Sequence, residues 1–429
     1  MTARQWPEVK LGDYTELLSG FAFKSKNFTD GPDDIPLVKG ANVHQGFIDW
    51  KGAVRWPKEQ FGDYKKFQLK EHDVVLAMDR PWIEAGLKYA WIKRDDPKSL
   101  LVQRVSRLRG LNGLDTRFLR YIIGSPQFTG YIKPIVTGVN VPHISGSQIK
   151  DYKFTLPDAE HQVHVVDILE AYDNLIENNK RRIAILEEIA QSLYREWFVK
   201  FHYPGYESTK FIDSPLGKIP EGWEIKKLSD VLCVYRGRSY KSIELVDEGG
   251  YAFLNLKNVA REGGFRRDGL KRYSGPFKPH QVAKPNDIIM AVTDMTQERA
   301  IIARPARVPS MGIDEFVISM DLVKIAVKEG FEESFLYSLL RYSDFPHVVK
   351  QFANGANVLH LSPKVIEEYE ALIPYESLRS LFSEVVKPIH QIQDKIEKKN
   401  DNLKSQRYML LPKLISGDIE ITNTDEVDA

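Results

Sequence analysis

The chain has 429 residues, of which 42% are apolar and 28% are charged, and its net charge is +1. This composition excludes a largely disordered chain and predicts about two to four globular domains. The single cysteine, Cys233, excludes an internal disulfide framework, the apolar runs are too short to span a bilayer, and the first residues lack the apolar core of a secretion signal. A cytoplasmic protein that contacts no membrane is therefore expected.

The sequence contains an internal repeat with a spacing near 217 residues. Five residues recur in order, with Leu11, Asp13, Gly20, Lys24 and Ser25 matching Leu228, Asp230, Gly237, Lys241 and Ser242. Further along the chain, Gly138–His143 recurs as Gly355–His360. A spacing of this length predicts two duplicated domains, because the units of a solenoid are far shorter.

The first part of each copy has a mixed pattern. The apolar runs Val74–Met78 and Ile288–Val292 predict buried strands, and Asp115–Gly124 and Glu332–Tyr342 predict short helices. This part is predicted to be α+β. Residues 1–156 carry 24 Lys and Arg against 17 Asp and Glu, a net charge of +7 that the near-zero total conceals.

The second part of each copy predicts a long helix. Seam residues spaced alternately four and three apart run from Val165 to Trp197 and from Leu378 to Leu410, the spacing of a coiled coil. Asn179 and Lys399 are expected at equivalent seam positions, and Pro388 predicts a kink or break in the second helix. The principal seam residues are Leu169, Tyr172, Ile176, Ile183, Leu186 and Leu193, then Ile389, Ile392, Ile396, Leu403 and Leu410.

A long, narrow apolar seam needs a partner, and the other copy in the same chain is the nearest one. The two helices are therefore predicted to pair with each other, with a globular domain at each end. The alternative is that each helix packs on its own domain.

Several segments follow one known pattern. They are the runs Asp73–Met78 and Asp287–Ala291, the closing segment Thr137–Ser145, the helix start Pro157–Gln162, and the helix ends Ser192–Phe198 and Leu411–Ile419. Together they resemble the specificity (S) subunits of Type I restriction–modification systems over nearly the whole chain. The second helix start, at Pro374, departs from the pattern because it lacks the Glu-Gln pair.

The resemblance implies a domain order with internal pseudo-two-fold symmetry. Two mixed α/β target recognition domains would be separated by two long antiparallel coiled-coil helices. The implied segments are recognition domain 1 at 1–156, spacer helix 1 at 157–203, a linker with recognition domain 2 at 204–373, spacer helix 2 at 374–420 and an acidic tail at 421–429.

The resemblance also implies a function. Each recognition domain would read one half of a split target in double-stranded DNA, and the helices would fix the gap between the halves. Two modification subunits would methylate adenine with S-adenosylmethionine, and two restriction subunits would supply translocase and nuclease activity with ATP and Mg. This chain itself would bind no cofactor and no metal and would not be an enzyme.

Three groups of loop residues are candidate DNA contacts, because Lys and Arg neutralise phosphates and Arg, Asn and Gln read base edges. The first group follows a glycine in each copy, the second follows the buried strand, and the third closes the domain. The groups are Lys24, Ser25, Lys241 and Ser242; Arg80, Thr293 and Gln297; and Asn140, His143, Asn357 and His360.

Each group has a structural alternative. The first is otherwise a turn with a solvated lysine, and in the second Arg80 is otherwise paired with Asp79 at the surface. For the third, a turn that closes the domain is the favoured interpretation. Further candidates are Lys39, Asn42, Lys257, Asn258, Arg266 and Arg267 and the cluster Arg104, Arg107 and Arg109, for which the alternative is a solvated face.

No adenine-methyltransferase motif and no phosphate-binding loop occurs in the sequence. The chain is therefore predicted to be non-catalytic by itself. Two rival hypotheses remain open, a stand-alone DNA-modifying enzyme such as a nuclease with an unrecognised site, and a coiled-coil adaptor without specific DNA readout.

Overall fold

A computed structural model of the protein describes residues 6–83, 86–136 and 142–419. The chain forms two compact units, one of residues 1–176 with 402–429 and the other of residues 177–401. Each long helix contributes to both units. The described helices include none long and apolar enough to cross a lipid bilayer.

The first unit combines short strands with three short helices and the start of a long one. Its strands are β1 (Glu8–Lys10), β2 (Thr15–Ser19), β3 (Ile35–Val38), β4 (Arg55–Trp56), β5 (Val74–Ala77), β6 (Trp82–Ile83), β7 (Gly86–Leu87), β8 (Tyr89–Trp91), β9 (Leu100–Leu101), β10 (Val105–Gly110) and β11 (Lys153–Thr155). Its helices are α1 (Thr116–Ile123), α2 (Pro126–Ile135), α3 (Gly146–Lys150) and the beginning of α4 (Ala159–Tyr194).

A four-stranded sheet in the order β2-β10-β5-β8 forms the centre of the first unit. The predicted strand at Val74 is β5, whose four residues are all buried, as expected for a continuous apolar run covered on both faces. One face carries the main core, where Leu76, Leu108, Phe118 and Ile122 pack with apolar residues of the long helices such as Leu169. The sheet therefore rests on the helices through an apolar layer.

The second unit contains the remaining elements. Its strands are β12 (Phe211–Ser214), β13 (Gly217–Pro220), β14 (Glu224–Lys227), β15 (Leu232–Arg236), β16 (Leu245–Val246), β17 (Tyr251–Leu254), β18 (Lys271–Tyr273), β19 (Val282–Ala283), β20 (Ile288–Ala291), β21 (Thr293–Asp294), β22 (Pro305–Arg307), β23 (Phe316–Ile318), β24 (Leu322–Val327), β25 (Leu359–His360) and β26 (Glu370–Ile373). Its helices are α5 (Leu228–Val231), α6 (Glu333–Tyr342), α7 (Phe345–Val349), α8 (Pro363–Glu368) and most of α9 (Glu376–Ser416).

The predicted duplication is present in the strand topology. The second unit has a four-stranded sheet in the order β15-β24-β20-β22, which repeats the order of the first unit strand for strand. In both units a strand near the start of the repeated fold pairs antiparallel with the last strand before a long helix, β1 with β11 and β14 with β26. A parallel pair also recurs, β3 with β9 and β17 with β23.

The two long helices start with equivalent bonds made by different residues. Gln162 donates through Nε2 to the carbonyl oxygens of Pro157, at 2.9 Å, and Gly113, at 3.0 Å. At the equivalent position, Arg379 donates to the carbonyl oxygens of Pro374, at 2.7 Å, and Gly330, at 2.8 Å. The missing Glu-Gln pair is thus replaced, because Arg379 makes the bonds that Gln162 makes.

The helix limits differ slightly from the prediction. The first long helix, α4, ends at Tyr194 and continues as a π-helical turn over Arg195–Val199. The second, α9, is one helix from Glu376 to Ser416, so the predicted break at Pro388 is wrong. Pro388 lies on the exposed side, and the single donor that it lacks does not interrupt a helix held by its buried face.

Candidate nucleic-acid interface

Three loops of the first unit meet at one edge of its four-stranded sheet. The last residue of β2, Ser19, pairs with Ser106, and the last residue of β5, Ala77, pairs with Val105. Because β10 is antiparallel to both strands, the loops after β2 and β5 lie beside the turn that precedes β10. We call residues 20–26, 78–83 and 103–104 the first loop edge.

The closing segment of the first unit joins this edge. His143 Nδ1 lies 2.6 Å from Asp79 Oδ1, and the backbone N–H of Arg80 donates to the carbonyl oxygen of Pro142 at 2.7 Å. Asp79 also pairs with Arg104 at 2.8 Å, and within the described part of the chain it forms no ion pair with Arg80. Arg80 is exposed and has a φ of 44°. Asn140 lies outside the described residues.

The second unit gathers its loops in the same way. The last residue of β15, Arg236, pairs with Val323, and the last residue of β20, Ala291, pairs with Leu322. We call residues 237–244, 292–301 and 319–321 the second loop edge. The closing segment joins it through β21 and β25, where Thr293 pairs with His360.

Most candidate residues near the two edges expose their side chains. The exposed candidates are Lys24, Ser25, Arg80, Lys241, Ser242, Lys257, Gln297, Asn357 and His360, and the half-buried ones are Lys39 and His143. Gln297 donates through Nε2 to the carbonyl oxygen of Ala356 at 3.0 Å, which links the second loop edge to its closing segment. The Lys39 ammonium lies 5.1 Å from the centre of the Phe28 ring.

Two predicted asparagine contacts are corrected by the structure. Asn42 and Asn258 are buried, with 6% and 0% of their surface exposed. Asn42 Oδ1 accepts from the backbone N–H of Lys39 at 2.8 Å, and Asn258 Oδ1 accepts from that of Asn255 at 2.9 Å. A buried amide that accepts a hydrogen bond from its own loop stabilises that loop and is not available to a base.

Two further candidates are engaged inside the protein. Thr293 is buried, and its hydroxyl lies 3.4 Å from His360 Nδ1. Arg267 pairs with Glu397 at 2.7 Å and with Asp401 at 3.0 Å, so it contacts α9 instead of a DNA backbone. Arg266 remains exposed and pairs with Asp268 at 2.6 Å.

The three arginines before and within β10 differ in burial and in their partners. Arg107 is buried and pairs with Glu16 at 2.6 Å, and Arg109 donates to Asp73 at 2.8 Å. Arg104 alone among these three has a largely exposed side chain, at 67%. Two of the three cations are therefore structural, and Arg104 stays at the first loop edge.

The recurring glycine of each copy has a packing role. A Cβ on Gly20 would lie 2.3 Å from the carbonyl oxygen of Val102, and one on Gly237 would lie 2.0 Å from that of Ser319. No side chain fits at these distances. The glycines recur because two backbone segments touch there, and not because a phosphate approaches them.

On α4 the predicted seam residues are buried or half-buried. Leu169 and Ile176 are buried, and Tyr172, Ile183, Leu186 and Leu193 are half-buried. On α9, Ile396 is buried and Ile389, Leu403 and Leu410 are half-buried, but Ile392 is 42% exposed. The prediction for Ile392 is corrected, because the adjacent Gln393 takes the buried position.

Polar side chains fill part of the buried stripe on α9. Gln393 donates to Glu187 Oε2 at 3.2 Å, and Asn179 donates to Asn400 Oδ1 at 2.8 Å. Lys399, which was predicted to lie in the seam at the position equivalent to Asn179, is exposed, and the adjacent Asn400 takes the buried position. An apolar pattern does not reveal such positions, since hydrogen bonds satisfy these groups inside the interface.

The two long helices run antiparallel in each unit. In the first unit, His161 Nε2 lies 3.0 Å from the carbonyl oxygen of Leu414, and Arg407 pairs with Asp173. In the second unit, Asn179 meets Asn400, and Glu187, further along α4, meets Gln393, which precedes Asn400.

A buried histidine lies in the stripe of α9. His390 is 4% exposed, and its ring centre lies 5.4 Å from that of Tyr337. Burial, with the positive charges of Arg307 and Arg341, lowers the pKa of His390 to about 3. The imidazole is therefore neutral at pH 7. Within the described residues, no group of three or more His, Cys, Asp or Glu side chains is arranged to hold a metal ion.

Known proteins are similar to this chain in sequence and in fold. Residues 3–188 match the family model of the Type I restriction modification DNA specificity domain. The chain is 26% identical over 320 residues to the Type I restriction enzyme MjaIX specificity subunit of Methanocaldococcus jannaschii, with 72% of this chain and 70% of the relative covered. Over 188 residues it is 32% identical to the Type I restriction enzyme EcoAI specificity subunit of Escherichia coli, with 44% and 31% covered.

A solved structure has the same fold over nearly the whole length. The crystal structure of the Type I restriction–modification S subunit from M. genitalium matches with a TM-score of 0.57 and 16% identity, and 97% of each chain is covered. This likeness shows the fold. In sequence, residues 3–188 match the DNA specificity domain, and the chain is similar over most of its length to specificity subunits of Type I restriction–modification systems.

Proposed function

We propose that this chain is the sequence-recognition subunit of a Type I restriction–modification complex. It reads a bipartite target in double-stranded DNA and directs adenine methylation or restriction by partner subunits, without catalysis of its own. The supporting observation is that one loop edge is built twice, on sheets of identical strand order. Two edges of the same construction suit two separate half-sites, as the two subunits of a dimeric DNA-binding protein do.

We further propose the finer arrangement of the molecule. Recognition domains at 1–156 and 204–373 each bind one half-site, and the paired helices at 157–203 and 374–420 fix the distance between them. The antiparallel contacts of α4 and α9 within each unit support this proposal. Two turns of contact separate Asn179 from Glu187 on α4, so the pairing is sustained along the helix and is not a single crossing.

The partner subunits are proposed to bind the outer surfaces of the long helices. Both helices expose large apolar side chains, and such exposure on a folded protein is typical of an interaction surface. They include Leu175, Ile185 and Ile189 on α4 and Val385, Ile392, Tyr408 and Met409 on α9. We propose two modification subunits, with S-adenosylmethionine, and two restriction subunits, with ATP and Mg.

The test of the function is the pattern of methylated adenines. The chain is expressed with its modification subunits in a host without other adenine methyltransferases, and the genome is sequenced for methylated adenine. A split motif is expected with both components and no methylation with either alone. Methylation by this chain alone would favour the stand-alone enzyme, and an assembled complex that leaves no DNA footprint would favour the adaptor.

Replacing Arg80 by alanine is expected to relax one half-site. Arg80 is exposed at the first loop edge, and an arginine that reads a base contributes about 1–3 kcal/mol to discrimination. The measurement is the methylation motif of the Arg80→Ala variant. Arg94→Ala is the matched control, because Arg94 is exposed and follows β8 at the opposite edge of the sheet. An unchanged motif would remove Arg80 from the residues that read bases.

A further inference from the structure

The turn at the centre of each loop edge occupies an equivalent place in the two units. The backbone N–H of Met78 donates to the carbonyl oxygen of Arg104 at 2.8 Å, and that of Val292 donates to the carbonyl oxygen of Asp321 at 2.9 Å. Arg104 immediately precedes β10, and Asp321 immediately precedes β24. The two residues are therefore counterparts in one duplicated fold.

The chemistry of this position is reversed between the units. On the first loop edge, Arg104 lies with the exposed cations Lys24, Lys26 and Arg80. On the second, the half-buried carboxylate of Asp321 takes its place. The second edge retains the exposed Lys241, so it is not acidic throughout, but its central turn carries a negative charge.

Apolar side chains are more exposed on the second loop edge than on the first, where Phe21 and Ile83 are 38% and 37% exposed. Ile243 is 85% exposed, Met295 is 75% exposed and Met320, next to Asp321, is 47% exposed. Each belongs to a different one of the three loops that form the edge. A single exposed apolar residue needs no explanation, but three on one edge, around a carboxylate, form a surface of defined chemistry.

This chemistry restricts how the second edge can meet DNA. A carboxylate is repelled by phosphates, so a carboxylate at the centre of a DNA-binding edge has a favourable partner only among base donors. In the major groove, Asp accepts from the N4 amino group of cytosine, and apolar side chains contact the methyl group of thymine. Arginine at the same place donates to phosphate or to guanine.

We infer that Asp321 is a base-reading residue of the second loop edge, where it accepts a hydrogen bond from the N4 amino group of a cytosine in the half-site. Ile243, Met295 and Met320 make apolar contacts with the neighbouring bases. The first edge uses Arg104 at the equivalent place as a donor. This inference rests on the proposed function and specifies what one recognition domain selects.

The experiment uses the complex of the chain with its modification subunits and determines the methylation motif. With Asp321→Ala, the preference for cytosine over the other bases is expected to disappear at one position of one half-site. A contact of this kind gives a preference of roughly tenfold or more. Asp321→Asn keeps an acceptor oxygen and is expected to retain part of the preference. Arg104→Ala is expected to change the other half-site only.

Asp213→Ala is the matched control, because Asp213 is exposed in the β12–β13 hairpin, and its motif should equal that of the unaltered protein. An unchanged motif in Asp321→Ala, with methylation retained, overturns the inference. Loss of all methylation in both Asp321 variants also overturns it, since the residue would then be structural. If the unaltered complex gives no split motif, the proposed function itself fails, which is a different result.

Discussion

At the scale of the residue, two different side chains make equivalent hydrogen bonds at the same position of the two copies. Gln162 and Arg379 each bind two backbone carbonyl groups at the start of a long helix. Arginine brings a charge that glutamine does not, and Glu332 balances it at 3.1 Å. The charge pair is buried or nearly so, which makes its members mutually dependent.

Replacing Arg379 by alanine is expected to lower the free energy of unfolding by about 3–5 kcal/mol, because the carboxylate of Glu332 loses its cation and keeps only the Ser380 hydroxyl, and two carbonyl groups lose a donor. Arg379→Gln supplies donors as Gln162 does and should recover part of the loss. The measurement is denaturant unfolding. Arg182→Ala, at an exposed position on α4, is the control and should change stability by less than about 0.5 kcal/mol. Equal effects of Arg379→Ala and Arg182→Ala would contradict this account.

The positions of the candidate loops were more predictable from the sequence than the role of each residue within them. The loops around Arg80, Lys241 and Gln297 do reach exposed sheet edges, but Asn42 and Asn258 are buried caps. A polar side chain satisfied by its own backbone and one that faces solvent look alike in a sequence. The available signal was the spacing of each asparagine three residues after the amide that it caps.

At the scale of the element, a buried pair of polar side chains joins the two long helices. Asn179 and Asn400 are each 4% exposed, and their side chains are joined at 2.8 Å. A buried amide pair contributes little net stability but specifies one alignment of two helices, since any slip breaks the hydrogen bond that joins the two amides.

Single replacements of this pair are expected to cost more than the double replacement. Asn179→Leu removes the donor to the buried Oδ1 of Asn400 and should destabilise the protein by about 1–3 kcal/mol, whereas Asn179→Leu with Asn400→Leu should regain most of that loss. Denaturant unfolding of the two single variants and the double variant gives the coupling energy. Additive effects would show that the two side chains do not interact.

The existence and length of the helices followed from the sequence, whereas the buried face of the second helix followed only in part. Spacing of apolar residues located α4 and its seam. On α9 the same rule selected Ile392, because Gln393 and Asn400, which are buried, carry no apolar signal. Their partners lie on the other long helix, and that pairing is not visible in either helix taken separately.

At the scale of the whole molecule, duplication determines the plan. The repeat in the sequence predicted two similar domains, and the strand orders of the two units agree. The individual strand pairings were not predictable, since pairs such as β1 with β11 join segments that are far apart in the chain. The two copies keep the same strand order, whereas the residues on their loop edges differ.

Removing one heptad from both helices is expected to shorten the gap between half-sites or abolish activity. Deleting 174–180 together with 400–406 removes Asn179 and Asn400 as a pair and retains Asp173, Arg407, Glu187 and Gln393. Seven residues span about 10 Å, or roughly three base pairs. The measurement is the methylation motif, with deletion of 174–180 alone as the comparison. An active complex with the original gap would refute the proposed spacer.

The ionic contacts of the second unit bear on the construction of chimaeras. Arg267 pairs with Glu397, Arg307 with Asp394 and Arg341 with Glu187, so three arginines of one globular portion meet carboxylates of the long helices. If a foreign domain were grafted onto these helices without arginines at the equivalent positions, the partly buried carboxylates of the helices would have no cation to pair with. A chimaera is therefore expected to fold when the arginines of the grafted domain and the carboxylates of the helices are transferred together as pairs.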